Sequence, residues 1–238
     1  MYRNFDKALE MLFPGRCPVC DDIVIPGGGL ICKECLAKVS FVKEPCCRKC
    51  GKEIIDDRGE YCPDCRQKPH YFDWGASAVN YDSVGRKIIS DFKYHNKRDN
   101  SVFLAHEIVK RCGQQIKLME GDALVPVPLY WWKKRVRGFN QSEVLAKRLE
   151  ELTGIPVYRD MIVRIRNTRP QKSLEHLQRR KNLMEAFRIG NIPEGIRSVI
   201  LVDDIYTTGS TIDACSRMLK SAGVEKVYFV SACIGKNY

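Results

Sequence analysis

Val199-Ile200-Leu201-Val202-Asp203-Asp204-Ile205-Tyr206-Thr207-Thr208-Gly209-Ser210-Thr211 is the stretch whose reading decides the fold. Four aliphatic residues in a row read as a central parallel strand covered on both faces. Beyond Thr211 the period changes, and Ile212, Cys215, Leu219 and Ala222 recur at helical spacing. Between strand and helix, Thr207, Thr208, Gly209, Ser210 and Thr211 supply hydroxyls, a conformationally free glycine and backbone N–H groups at a helix N-terminus, where a phosphate is best held. Asp203 and Asp204 fall at the carboxyl end of the strand, where open α/β sheets place their ligands.

Carboxylates repel phosphate, so two acids beside an anion cradle call for a ligand with hydroxyls as well. A sugar phosphate has both: the acids accept hydrogen bonds from vicinal ribose hydroxyls while the turn holds the phosphate on the neighbouring carbon. A Walker loop is excluded, because no Gly-x4-Gly-Lys-Ser/Thr occurs.

Working outward, the chain alternates strand and helix. Trp74 to Tyr81 predicts a strand, Val84 to His95 and Val102 to Lys117 predict helices, and Ala123 to Val127 predicts a strand stopped by Pro126 and Pro128. A basic loop beginning at Trp131-Trp132 leads into a helix through about Leu152. Next come a strand over Val157 to Arg164, a polar loop, a helix around Leu174 to Met184, the motif strand with its helix, and a strand from Val227 to Ile234. The expected fold class is α/β, a mostly parallel doubly wound sheet preceded by a small metal-stapled module, with the division falling between residues 1–70 and 71–238.

That module rests on the cysteines, nine of whose twelve lie between Cys17 and Cys65. Cys17/Cys20, Cys32/Cys35, Cys47/Cys50 and Cys62/Cys65 are C-x2-C knuckles, each beginning 15 residues after the last. Two knuckles complete a tetrahedral thiolate site with no open position, so eight thiolates can hold two structural zinc ions. Even spacing allows neighbouring or alternate knuckles to share a metal, and neighbours are favoured; iron–sulfur ligation is the competing metal chemistry. A redox role fails for want of a thioredoxin-like context. Cys46 is left over, and Cys112, Cys215 and Cys233 read as small core residues. Met1 to Arg16 lacks an apolar core of signal-peptide length and no later segment approaches a membrane span, so a cytoplasmic protein is expected. There, paired thiols mean metal rather than disulfide.

The formal charge of +11 is uneven: Trp131 to Gly190 carries a net +9, whereas Met1 to His70 carries +1. The basic field of the second region would draw polyphosphates or a nucleic-acid backbone. Trp131-Trp132 beside Lys133 to Arg137 would also suit base stacking and contacts to single-stranded DNA.

The hydrophobic strand, Asp-Asp, two spacers and Thr-Thr-Gly-Ser-Thr resemble the phosphoribosyl pyrophosphate motif of the type I phosphoribosyltransferases. Pro126-Val127-Pro128 followed by Arg137-Gly138-Phe139-Asn140-Gln141, together with Thr168, Gln171, Leu174, Arg179, Asn182, Ala186 and Phe187, resembles one branch, the ComF/GntX-like proteins linked to competence for DNA uptake. The cysteine module in front is likewise that family's layout. The resemblance implies that Asp203 and Asp204 hold the ribose and Thr207 to Thr211 the 5′-phosphate. It implies that Arg135, Arg137 and Gly138 lie near the pyrophosphate, and Arg164, Arg166, Gln171 and Arg179 near a mobile loop, with Lys93 a weaker candidate. It also implies magnesium arriving with the pyrophosphate, and DNA-processing proteins as partners.

Two departures narrow the expected chemistry. Salvage enzymes of this fold often carry an acid just before the Thr-Gly of the loop, where Thr207 stands here. Amidotransferase members use a separate glutaminase domain, for which the segment before Phe72 offers no room. The acceptor of any transfer is therefore open.

Overall fold

The computed structural model describes residues 15–24, 29–54, 59–166 and 185–236. Among these, the motif strand β5 (Ser198–Tyr206) lies inside a parallel four-stranded sheet of order β1-β6-β5-β2, with β1 at Gly75–Asn80, β2 at Ala123–Pro126 and β6 at Lys226–Ile234. β5 runs four residues past the aliphatic quartet, because its ladder with β6 continues to Tyr206 opposite Ile234 and carries both acids inside the strand. Helices α3 (Ser83–Tyr94) and α4 (Asn100–Met119) follow β1, and α5 (Trp131–Arg137) and α6 (Gln141–Thr153) follow β2. After β5 comes α7 (Ser210–Ser221). The Asp82 carboxylate starts α3 by accepting from the Val84 and Gly85 N–H groups at 3.0 Å, a side-chain cap for otherwise orphaned donors.

Two expectations change. Trp131 to Arg137 is a helix rather than a loop, closed by Gly138 at φ +82. That left-handed conformation explains the glycine, since a Cβ there would meet only Arg98 Nη2 at 3.7 Å. The strand expected over Val157 to Arg164 is split. Val157 bridges Leu124 in parallel at the sheet edge, then β3 (Ile162–Arg164) pairs antiparallel with β4 (Phe187–Ile189) in a separate ribbon. Polar Arg159-Asp160 interrupts the apolar run, and Asp160 and Met161 give their carbonyls to Asn191 and Gly190 at the far end of that ribbon. The expected helix at Leu174 to Met184 falls largely outside the described residues.

Alternation along the strands divides the core. Ile200, Val202 and Val230 face α3, α4 and α6, while Val199, Leu201 and Phe229 face α7, β3 and β4. Each wholly buried aliphatic or aromatic side chain contributes about 1.5–3 kcal/mol. The cysteine segment joins both clusters. The first half, with short helix α1 (Lys33–Leu36), packs its Val24, Ile31 and Val39 on the α4 side. The second, with α2 (Pro63–Gln67), packs Ile54 and Cys62 on the α7 side. Between them the backbone covers the free edge of β1: the Val42 N–H donates to the Ala78 carbonyl at 3.0 Å and the Asn80 N–H to the Ser40 carbonyl at 2.7 Å. No described helix is long and apolar enough to cross a membrane.

Candidate functional site

Asp203 and Asp204 are both buried at the carboxyl end of β5. Asp203 Oδ1 accepts from Ser142 Oγ, in the first turn of α6, at 3.0 Å and from the Asp204 N–H at 2.9 Å. Ser142 is held there because Asn140 caps α6, its Oδ1 accepting from the Ser142 N–H at 3.2 Å and its Nδ2 donating to the Val127 carbonyl at 3.1 Å. Burial, reinforced by the neighbouring Asp204, pushes the Asp203 carboxyl up to about 8. Asp204 forms an ion pair with Lys93 from the last turn of α3. Burial alone would lower the Lys93 ammonium, but Asp204 and then Asp203 overcome it and leave the group raised.

Further cations gather at the same end of the sheet. Burial lowers Lys133, and repulsion from Arg164, Arg137 and Lys93 lowers it further. Arg164 is lowered by burial and drawn back by Cys215 and Asp203. Lys133 and Arg137 are four apart on α5 and share its inner face, whereas Arg135 is exposed on the other side. Arg166 is also exposed, in an ion pair with Glu185 at 3.0 Å. Thr168, Gln171 and Arg179 lie outside the described residues.

The turn after β5 is open. Thr207 and Thr208 are exposed, Thr208 Oγ1 and Ser210 Oγ share a hydrogen bond at 2.9 Å, and no side chain caps α7. Gly209 has φ +73 and a Cβ there would come within 2.5 Å of Tyr206 Oη. Glycine is thus required twice over, for conformation and for space.

The cysteines form two clusters, Cys17, Cys20, Cys32 and Cys35, and Cys47, Cys50, Cys62 and Cys65, each with its sulfurs within 4.8 Å of one another. Neighbouring knuckles therefore share a site. Sulfur pairs stand 3.7 Å (Cys17 and Cys32), 3.8 Å (Cys20 and Cys32) and 3.6 Å (Cys50 and Cys62) apart. Four thiolates at about 2.3 Å from a tetrahedral zinc would be about 3.8 Å apart, so the donor sets fit that ion. Cys112, Cys215 and Cys233 are buried core residues.

Sequence reasoning gave Lys93 little weight and Ser142 none as a partner of the acids. Lys93 stands in the noticeable run Asp91-Phe92-Lys93-Tyr94, but a serine at a helix start carries no signal of the carboxylate it will meet.

A family model described as a double zinc ribbon domain matches residues 8–66. The chain is 31% identical over 224 residues to Competence protein F of Haemophilus influenzae, covering 90% of this chain and 95% of that protein. It is 27% identical over 223 residues to DNA utilization protein YhgH of Escherichia coli O157:H7, covering 92% and 97%. Among solved structures, an adenine phosphoribosyltransferase aligns with 14% identity and a TM-score of 0.37 over 62% of this chain and 75% of that one. The extent of the match to Competence protein F, over 90% of this chain and 95% of that protein, establishes that the chain belongs to the ComF family of competence-associated proteins, with a double zinc ribbon domain at residues 8–66.

Proposed function

We propose that the protein binds the magnesium complex of phosphoribosyl pyrophosphate and transfers the phosphoribosyl group to an acceptor. The observation that carries this reading is the paired Asp203 and Asp204 set between the open Thr207–Thr211 turn and the cations Lys93, Lys133, Arg137 and Arg164. In this reading the acids accept the ribose hydroxyls, the turn donates to the 5′-phosphate, and the cations stabilise the departing pyrophosphate. An acceptor nucleophile forms its bond to the anomeric carbon as the bond to pyrophosphate breaks. The Asp204 carboxylate then favours the positive charge that develops on the ring. Titration calorimetry with phosphoribosyl pyrophosphate and Mg²⁺ should show binding by the wild type and loss in Asp203→Asn/Asp204→Asn. Equal heats from both would remove the proposal. Turnover is read as pyrophosphate release that depends on an added acceptor.

A second reading is favoured by α5. Its outer face exposes Trp131, Trp132 and Val136 beside Arg135, an arrangement suited to stacking bases and contacting phosphates of single-stranded DNA. The relatives' names, a competence protein and a DNA utilization protein, agree with such a role. The two readings are compatible, because the inner and outer faces of one helix serve them.

A further inference from the structure

Tyr206 ends β5 and lies beneath the turn. Its ring stacks on Phe229 with centroids 4.6 Å apart and meets Phe72 edge-on at 6.1 Å, and its hydroxyl occupies the space a side chain at Gly209 would need. Against the same ring stands the second cysteine tetrad. Lys52, two residues beyond Cys50, makes an ion pair with Asp64, between Cys62 and Cys65, at 2.7 Å. Its side chain is only 5% exposed and its ammonium is 6.0 Å from the Tyr206 ring centroid. One lysine thus ties both knuckles of the tetrad together and lays them on the phenol that supports the turn.

A second tether leads to the same place. The His70 side chain is 1% exposed, with Nδ1 2.7 Å from Asp213 Oδ2, and the Tyr71 N–H donates to Asp213 Oδ1 at 3.0 Å. The Asp213 N–H in turn donates to the Gly209 carbonyl at 2.7 Å. The segment leaving the second tetrad is therefore bolted to the first turn of α7. The first tetrad belongs to the hydrophobic cluster on the opposite face of the sheet, where Asp21 pairs with Lys97 at 3.0 Å.

We infer that the second cysteine tetrad is the buttress of the Thr207–Thr211 turn, with Lys52 and His70 as its positioning residues. A metal there fixes the knuckles, the knuckles fix Lys52 and residues 69–72, and these fix Tyr206 and the start of α7. The ligand arm of the test below rests on the anion-binding reading of the turn; the exchange arm does not.

Hydrogen exchange by mass spectrometry on the full metal-loaded chain reads the order of the turn directly. In Lys52→Met and His70→Phe, peptides spanning residues 203–213 should exchange about ten-fold faster while β6 keeps its protection. Lys52→Arg should restore it, and Cys20→Ser in the first tetrad should leave the turn unchanged. Wild-type exchange of the turn in both Lys52→Met and His70→Phe overturns the inference, as does equal loosening by Cys20→Ser. By calorimetry, ribose 5-phosphate should bind about ten-fold more weakly to Lys52→Met and recover with Lys52→Arg. Faster exchange without any ribose 5-phosphate binding, even by wild type, would support the buttress and count against the anion reading alone.

Discussion

Lys93 and Asp204 form an ion pair across the carboxyl end of the sheet, joining the last turn of α3 to the motif strand. Both groups are largely buried, at 19% and 9% exposed, so neither is well solvated without the other. Asp204 also sits next to Asp203, and the lysine offsets the repulsion between the two acids. Any ligand whose hydroxyls approach Asp204 enters a site already neutralised on one side.

Removing the lysine alone should therefore be costly. Lys93→Met is expected to lower stability by about 3 kcal/mol, the usual consequence of leaving one partner of a buried pair uncompensated. Lys93→Met/Asp204→Asn should recover a large part of that loss. Urea denaturation of the four proteins of this cycle decides the matter: strictly additive losses would mean that the pair has no coupling.

The raised Asp203 carboxyl gives a pH dependence with a definite sign. An aspartate titrates near 3.9 in the unfolded chain, and in the folded chain Asp203 titrates at about 8. Between those values the folded state holds a proton that the unfolded state has released. Its stabilising contribution is complete below about pH 4 and is lost as pH rises through about 8, with a slope of at most about 1.4 kcal/mol per pH unit. Stability of the wild type, compared with Asp203→Asn at pH 5, 6, 7 and 8.5, should fall relative to the variant over that window. Parallel curves would show that Asp203 does not take up the proton.

At Gly209 the turn should tolerate no side chain. Gly209→Ala adds a Cβ 2.5 Å from Tyr206 Oη at a position with φ +73, so about 1–3 kcal/mol of strain is expected, together with weaker binding of ribose 5-phosphate. Tyr206→Phe removes the clashing oxygen and should relieve part of the defect in the double variant. Thermal melts and calorimetry on both read the effect. If Gly209→Ala melts and binds like wild type, the turn does not require its glycine.

Much of this architecture was legible because it is written in local patterns. Val199 to Val202 announced a buried parallel strand, and even knuckle spacing announced two tetrathiolate sites. What escaped was set by tertiary partners. The Trp131–Arg137 segment turns its apolar residues, Trp131, Trp132 and Val136, to solvent and its cations inward, the reverse of the pattern that marks a core-facing helix, so it read as a loop. The break between Tyr158 and Ile162 depends on β4, a three-residue strand with too little pattern to find alone. Lys93 and Ser142 reach the acids from helices roughly 110 and 60 residues earlier in the chain, and no spacing rule predicts such a meeting. The placing of the two tetrads on opposite sheet faces is of the same kind, a consequence of how the module wraps the β1 edge.

The tetrads also make a countable prediction. Elemental analysis of the purified chain should find two zinc ions per molecule, and one in Cys17→Ser/Cys20→Ser, since the clusters share no ligand. Chelation should lower the melting temperature sharply, because a module of this size buries too little apolar surface to stand without its metal. Stoichiometric iron with visible thiolate charge-transfer absorption would replace zinc by an iron–sulfur assignment.

If α5 serves single-stranded DNA, its two faces should separate in a salt titration. Trp131→Ala/Trp132→Ala removes stacking and is expected to weaken binding of a labelled oligonucleotide by about 1–3 kcal/mol per stacked base while leaving the salt slope in place. Arg135→Gln removes one phosphate contact and should make the slope of log affinity against log salt shallower by about 0.7, the increment for one charge on a single strand. All three residues lie on the face turned away from Lys133 and Arg137, so ribose 5-phosphate affinity should stay at the wild-type value in each variant. An oligonucleotide affinity independent of salt, or unchanged by the loss of both indoles, would leave the exposed aromatic pair without a nucleic-acid role.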